Sequence, residues 1–369
     1  MRKTTQTAKN GLWEWVAALV LCALAGTILV SFFSLWPIKG TSLALDWYGI
    51  WNDLQGGRPH FNTDSLLIVP WDGLLLLPLG WPPMQASWAI ATLLTIAVLV
   101  VSVPTRYGKR RQWLGILLLA TAYPAIRHIV DGNLEGMVIG GLLLTIYGYE
   151  SKKVWALAAG LLLTTAKIQE AWVPCLVLGV YLLRTWPAKR LLALAVLLAA
   201  VVVPTMVWLG PEWVFGLTHV VERGSMMDSS LVATLGRLRF ADGVTALCWL
   251  GLAVLVALYA WRSGTTFSRT KASALVAASL LLSPYAAGNS YLTLLAVGII
   301  PLLISLNPLA MLLLLLVDLP YLAGHDLLRE WSATYWALLL LLWIAIAAIR
   351  LPGELQPRPS AVAPATVGN

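Results

Sequence analysis

Charge is what this chain of 369 residues has least of: Asp, Glu, Lys and Arg together make up 11% of it. A soluble domain carries roughly 25%, because its surface must face water. With 59% hydrophobic residues and a mean hydropathy of +0.79, the chain has too little polar side chain to cover itself. That excludes a cytosolic enzyme, a disordered regulator and a nucleic-acid module, and leaves a polytopic membrane protein. Cysteine is nearly missing as well. Cys22, Cys175 and Cys248 stand singly in apolar runs, where they act as small packing residues and not as disulfides or metal ligands. The four histidines, His60, His128, His219 and His325, lack a ligand spacing such as His-x-x-x-His. No metal and no cofactor is therefore expected. There is no Gly-rich phosphate loop and no Walker-type lysine, which argues against nucleotide hydrolysis. The net charge of +8 has its ordinary source in basic loop ends, so no nucleic-acid partner is expected.

Long apolar runs are what the chain has in abundance. About 20 residues cross a hydrocarbon core as a helix, and the candidate spans are 13–35, 84–104, 112–129, 134–149, 154–170, 172–183, 191–209, 244–260, 272–283, 292–306, 309–322 and 333–349. The fold class is all-α, a polytopic bundle of about 12 transmembrane helices. The polar start MRKTTQTAKNG leads into a run too long for a signal peptide, which reads as a retained first span. Residues 1–350 form one membrane domain, and 351–369, rich in Pro, Ala and Ser, read as a disordered tail. Of the 25 Lys and Arg, 17 fall on the side of the N-terminus, with RYGKRR at 106–111 as the strongest anchor. By the positive-inside rule the protein is a multi-pass protein of the cell membrane with both termini cytoplasmic. On the same map 14 of the 17 Asp and Glu lie outside. Avoidance of the anionic inner leaflet explains this as well as an external site built from carboxylates does.

Two outer segments are long enough to carry chemistry. The first, 37–83, holds Asp46, Asp53, Asp64 and Asp72 interleaved with Trp36, Trp47, Trp51, Trp71 and Trp81. Tryptophan favours the headgroup level, so this loop is expected to lie on the membrane surface as short amphipathic helices. The second, 210–243, holds Arg223, Arg237 and Arg239, cations on the side where the positive-inside rule disfavours them, which suggests an anionic lipid ligand. Asp46 stands beside Trp47 and Tyr48, where partial desolvation would raise its pKa and make it a better proton acceptor. The plainer reading is a solvated carboxylate or a helix N-cap. Asp53, seven residues on, falls on nearly the same helical face and is the second candidate base. Lys167 and Glu170 sit at the outer end of a span. Ionisable groups at membrane depth are functional by default, but three residues apart these two can also simply pair with each other.

The order of these features resembles the family-87 glycosyltransferases of the GT-C superfamily. The matching stretches are LDWYGIW around Asp46, LLLLPLGWPP, DGNLEGMVIGGLLL, WALAAGLLLTTAKIQEAWVP with Lys167 in it, MMDSSLVATLGRLRF and LLLSPYAAGNSYLTLL. Their shared order covers roughly residues 40–305. The resemblance implies a GT-C-like fold and a membrane enzyme that moves a hexose, as in a mannosyltransferase, from a polyprenyl-phosphate sugar donor to a lipid or glycan acceptor among membrane lipids. Asp46 would be the base. Lys167 would contact the donor phosphate, with Arg237 and Arg239 as further phosphate contacts and Arg223, Glu170 and Asn289 completing the substrate site. The chain departs from the family where Asp131-Gly132-Asn133 replaces a Gly-Gln-x-Asn segment, and where Ala286-Ala287-Gly288-Asn289 lacks a charged or His residue. Two other classes remain open. A transporter or flippase would place ionisable groups at the bilayer midplane, where Asp318 is the clearest, and a non-catalytic membrane subunit would need neither the external Asp nor the outer Arg residues.

Overall fold

A computed structural model describes residues 44–55, 69–221, 228–286, 288–323 and 332–354. The run at 13–35, Asp64, Arg223 and the tail after 354 lie outside the described residues. Among the described residues every regular element is a helix. In chain order these are α1 (Leu45–Leu54), α2 (Pro70–Leu76), α3 (Met84–Ser102), α4 (Lys109–Thr121), α5 (Tyr123–Asp131), α6 (Glu135–Glu150), α7 (Val154–Thr164), α8 (Ile168–Thr185) and α9 (Ala188–Val221). There follow α10 (Leu231–Arg237), α11 (Asp242–Arg262), α12 (Arg269–Leu282), α13 (Gly288–Leu303), α14 (Pro308–Ala323) and α15 (Ser332–Glu354).

Three of these are long and apolar enough to cross a membrane: α3, the Ala188–Trp208 part of α9, and α11. The pair α4 and α5, bent by 55°, makes a fourth if taken as one span. Length thus supports a helical membrane protein, with three or four full-length crossings among the described residues beside shorter apolar helices. The runs are broken from within. At the end of α7 the hydroxyls of Thr164 and Thr165 bond back to the carbonyls of Gly160 and Leu161, a pattern that disturbs helices, and the 154–170 run stops there. Helix α13 opens on a 3-10 turn and contains a π-helical turn at Leu295–Ile299. At the bend before α5, Asp318 of α14 accepts the Tyr123 amide at 3.0 Å. The clearest mid-span charge is therefore a cap on a helix start.

The arrangement of apolar surface fits lipid. Helix α12 is buried along its whole length from Thr270 to Leu282 and forms the axis of the core with Tyr181, Leu295 and Trp343 around it. Helices α9 and α11 instead turn Leu192, Val196, Val207, Leu247, Val254 and Leu255 outward. A water-soluble monomer rarely exposes apolar patches of that extent.

Two packing devices position the site. Helices α6 and α7 form an antiparallel hairpin in which a Cβ on Gly141 would overlap the Thr164 hydroxyl and one on Gly160 the Thr145 backbone. Such small residues let helix backbones approach closely. Counting outward from the turn at 151–153, this register sets the first residue of α6, Glu135, opposite the residues just beyond α7, where Lys167 stands. The second device is the anchoring of α1. Its Trp47 indole donates to Ser87 Oγ at 3.1 Å, its Trp51 indole to the Pro82 carbonyl at 2.9 Å, and the Ala44 amide to the Val130 carbonyl at 2.6 Å. Short helices do occupy the described parts of the 37–83 segment. Trp47 does not float at the headgroup level, however: it is 1% exposed and packs with Ile50, Leu54 and Trp88 in a small core of its own. The apolar partners of α3 and α5 outbid the interface for it.

Candidate active site

Asp46 lies in the first turn of α1, one residue after the helix starts, with Ala44 at the N-cap position. It is therefore not the N-cap its neighbours in sequence allowed. Its carboxylate accepts Asn133 Nδ2 at 2.7 Å. Asn133 is itself held by its Oδ1, which takes the Leu134 amide at 2.9 Å. Burial pushes the Asp46 carboxyl up to about 6, with Lys167 opposing the rise and Asp131 and Glu135 adding to it. A carboxylate so placed is ionised at neutral pH and still basic enough to take a proton from a hydroxyl.

The turn Asp131-Gly132-Asn133 ends α5. Gly132 has a φ of 71°, a left-handed conformation that favours glycine at a helix C-terminus. A Cβ there would also run into Trp47. The turn sends its two flanking side chains in different directions. Asn133 faces Asp46, while Asp131 receives Arg127 Nη2 at 3.0 Å on one oxygen and Asn289 Nδ2 at 3.2 Å on the other.

Within electrostatic reach of Asp46 lies a buried ionic chain. Glu135 is wholly buried, takes the Lys167 ammonium on Oε1 and stands 2.5 Å from His128 Nδ1 through Oε2. The second nitrogen of that imidazole reaches Thr95 Oγ1 at 3.3 Å. Lys167 and Glu170 were open to pairing with each other, but the ammonium goes to Glu135 instead. Lys167 is the N-cap residue of α8, with extended φ and ψ of −126° and 94°, so it does not share a helical face with Glu170 and the three-residue rule does not apply. Glu170 is buried and lies within electrostatic reach of Lys167, with the hydroxyls of Ser290 and Thr293 approaching it.

A loop closes over this group. Ser229 donates its amide to the Ala286 carbonyl at 2.8 Å, and Ala286 donates its own amide to Asp228 Oδ1 at 2.8 Å. The stretches DSSL at 228–231 and LSPYA at 282–286 are clasped together in this way. Tyr285, next to the clasp, is within electrostatic reach of Lys167, Asp46, Asp228 and Glu135, and burial raises its phenol pKa.

Residues 70–284 match the model of Glycosyltransferase family 87. The chain belongs to that family. It is a membrane glycosyltransferase. No curated protein and no solved structure matches the chain. The stretch matched to glycosyltransferase family 87 takes in Arg127, His128, Asp131, Asn133, Glu135, Lys167 and Asp228, while Asp46 and Asn289 reach the same site from outside it.

The residues singled out from sequence fall in different places. Asp46, Lys167, Glu170 and Asn289 come together around one site. Asp53 is buried two turns farther along α1, about 10 Å from Asp46 by helical rise, too far to serve the same reacting atom. Arg237 directs its guanidinium to the Asp228 carbonyl and to Thr234 Oγ1. It braces the clasp. Arg239 follows the end of α10 with a φ of 61° and is exposed. Arg223 lies outside the described residues. Sequence reasoning passed over Arg127, His128, Asp131, Asn133, Glu135 and Tyr285. One signal was available: Arg127, His128, Asp131 and Glu135 put four ionisable side chains within nine residues of a chain otherwise poor in charge. Among the described residues no group of His, Cys, Asp and Glu is arranged to hold a metal ion.

Proposed function

We propose that this glycosyltransferase moves a hexose, with mannose the leading candidate, from a polyprenyl-phosphate donor to a hydroxyl of a lipid or glycan on the external face, without a metal. Asp46 is the general base that takes the acceptor proton as the hydroxyl attacks the anomeric carbon. Lys167 offsets the charge of the departing phosphate, a role in which a preformed cation needs no reorganisation during the reaction. The single observation that carries this reading is the juxtaposition of a basic, half-buried carboxylate and a buried ammonium within electrostatic reach of each other. Glu135 and Glu170 hold the lysine charged and in place, Tyr285 offers the donor a hydrogen bond from the clasped loop, and Asn289 faces the acceptor. Arg239, exposed, belongs to the surface through which an anionic lipid approaches.

A hydrophobic donor tail has a place to lie. A groove of about 330 Å³ runs between α8 and α11, lined by Trp172, Leu176, Val180, Val256 and Trp261. Its Trp172 end is held to Ser283 at 2.9 Å, two residues from Tyr285, and begins about one helical turn beyond Lys167. The wall is apolar, as an isoprenoid chain requires.

The test is mannose transfer from polyprenyl-phosphate mannose by the purified protein in lipid nanodiscs, followed as release of polyprenyl phosphate and as labelled product. Donor turnover without added metal is expected. An intact donor, together with uptake of a labelled substrate into sealed proteoliposomes, would instead favour the transporter.

A further inference from the structure

We propose that Arg127, Asp131 and Asn289 form the acceptor subsite, and that it takes a neutral polyhydroxyl ring such as a glycan residue or an uncharged glycolipid headgroup. The inference rests on the glycosyltransferase reading and adds to it where the second substrate sits and what chemistry it presents.

The surroundings of Asp46 differ in exposure. Around Lys167, 6% exposed, the groups are buried. The chain Arg127–Asp131–Asn289 instead leads outward from the buried Asp131, 7% exposed, to the half-buried Asn289 and to Arg127 at 39% side-chain exposure. Arg127 and Asp131 both act electrostatically on Asp46, and Asn133, next to Asp131 across the Gly132 turn, bonds the Asp46 carboxylate at 2.7 Å, so an acceptor held on them has its hydroxyls near the base.

An Arg and an Asp four residues apart on a helix are by themselves an ordinary surface pair. Two features set this pair apart. Asn289 arrives from α13, 158 residues away, to take the second carboxylate oxygen, and the Gly132 turn links Asp131 directly to Asn133, the partner of Asp46. The three side chains offer guanidinium donors, a carboxylate acceptor and an amide that both donates and accepts. That set suits adjacent sugar hydroxyls, each of which needs a donor and an acceptor. Tyr123, half-buried, lies within reach of Arg127 and Asp131 and stacks on Trp336 at 6.3 Å, giving the patch an aromatic border for the apolar edge of a ring. The sign of the patch also selects. Asp46 and Asp131 are two carboxylates against the one guanidinium of Arg127, and the Lys167 ammonium is assigned to the donor phosphate, so a phosphorylated acceptor on this patch would meet like charge.

The test uses the full chain in nanodiscs with octyl α-mannoside, octyl β-glucoside, octyl β-galactoside and the 6-phosphate of each. Dissociation constants are read from intrinsic tryptophan fluorescence, and KM values for acceptor and donor from transfer assays with polyprenyl-phosphate mannose. At least one neutral glycoside is expected to bind saturably and at least tenfold tighter than its phosphate. Asn289→Ala is expected to raise the Kd of that glycoside and its KM about tenfold, the change that one lost hydrogen bond of about 1.4 kcal/mol produces. The donor KM should move less than twofold, and Asp131→Asn should narrow the preference for the neutral glycoside. Absence of saturable binding by any neutral glycoside, equal binding of the phosphates, or a parallel rise in donor and acceptor KM in Asn289→Ala would overturn the proposal. Failure of the glycosyltransferase reading is seen separately, as an intact donor in the unsubstituted protein.

Discussion

Replacing Glu135 by Gln removes, among the described residues, the one negative charge hydrogen-bonded to the Lys167 ammonium, at a position with no solvent to take over. Breaking a buried pair by removing one partner costs about 3–5 kcal/mol. Glu170 and Asp46 remain within electrostatic reach of Lys167, so the lower end of that range applies here, about 3 kcal/mol. At the unfolding entropy typical of a chain of this length this lowers Tm by about 4 °C. The logic extends to the double variant. In Glu135→Gln with Lys167→Met no uncompensated buried charge is left, and replacing both members of a buried pair by uncharged groups is often close to neutral. The double variant should therefore regain most of the stability that Glu135→Gln loses. The assay is thermal unfolding of the four proteins in nanodiscs, followed by tryptophan fluorescence. Losses that simply add would refute the reasoning, because they would mean that the two side chains stabilise the fold independently and the ion pair has no energetic reality.

Three further outcomes follow from the geometry. The base must be ionised to act, and burial has moved the Asp46 carboxyl up to about 6; kcat/KM should therefore fall about tenfold per pH unit below 6, whereas an ordinary carboxylate would hold activity down to about pH 4. Asp72 is 1% exposed, its Oδ2 has no hydrogen-bond partner, and burial pushes its carboxyl up to about 8. The folded state holds the Asp72 proton more tightly than the unfolded one, so its contribution is fully present below about pH 4 and is lost as pH rises through 8. Asp72→Asn should accordingly raise Tm at pH 8.5 and change it little at pH 4, and an equal gain at both would contradict this. Gly132→Ala places a side chain in a left-handed conformation, at about 1–2 kcal/mol, and drives its Cβ into Trp47; stability and transfer should fall together, and an unchanged Tm would show that the turn yields.

The helices and the half-buried setting of Asp46 were legible in the sequence because both follow from local pattern: apolar runs for the first, and a carboxylate set among aromatics beyond the first run for the second. The partner of Lys167 was not. The local rule paired it with Glu170, and only the tight hairpin of α6 and α7, set by close contacts at Gly141 and Gly160, brings Glu135 across from it. Asn289 and Asp131 are likewise joined over 158 residues, a separation that no periodicity spans. Trp47 was misjudged for a related reason. Its preference for the headgroup level is real, but a buried slot beside Trp88, with Ser87 Oγ to take its indole N–H, satisfies both ends of the side chain better. The arginines of the second outer segment showed the same limit: sequence marked them as unexpected cations, and it took the clasp between Asp228 and Ala286 to separate the bracing Arg237 from the exposed Arg239.

The central claim, that Asp46 is the base of a hexosyl transfer, is tested most directly by Asp46→Asn assayed with polyprenyl-phosphate mannose and a saturating acceptor. The amide keeps the size of the side chain and its place beside Asn133 but has no proton affinity to offer. Transfer should fall by about 100-fold or more, the contribution usual for general base catalysis, while the donor still binds with a Kd close to that of the unsubstituted protein. Transfer at an undiminished rate by a folded Asp46→Asn protein would contradict the account.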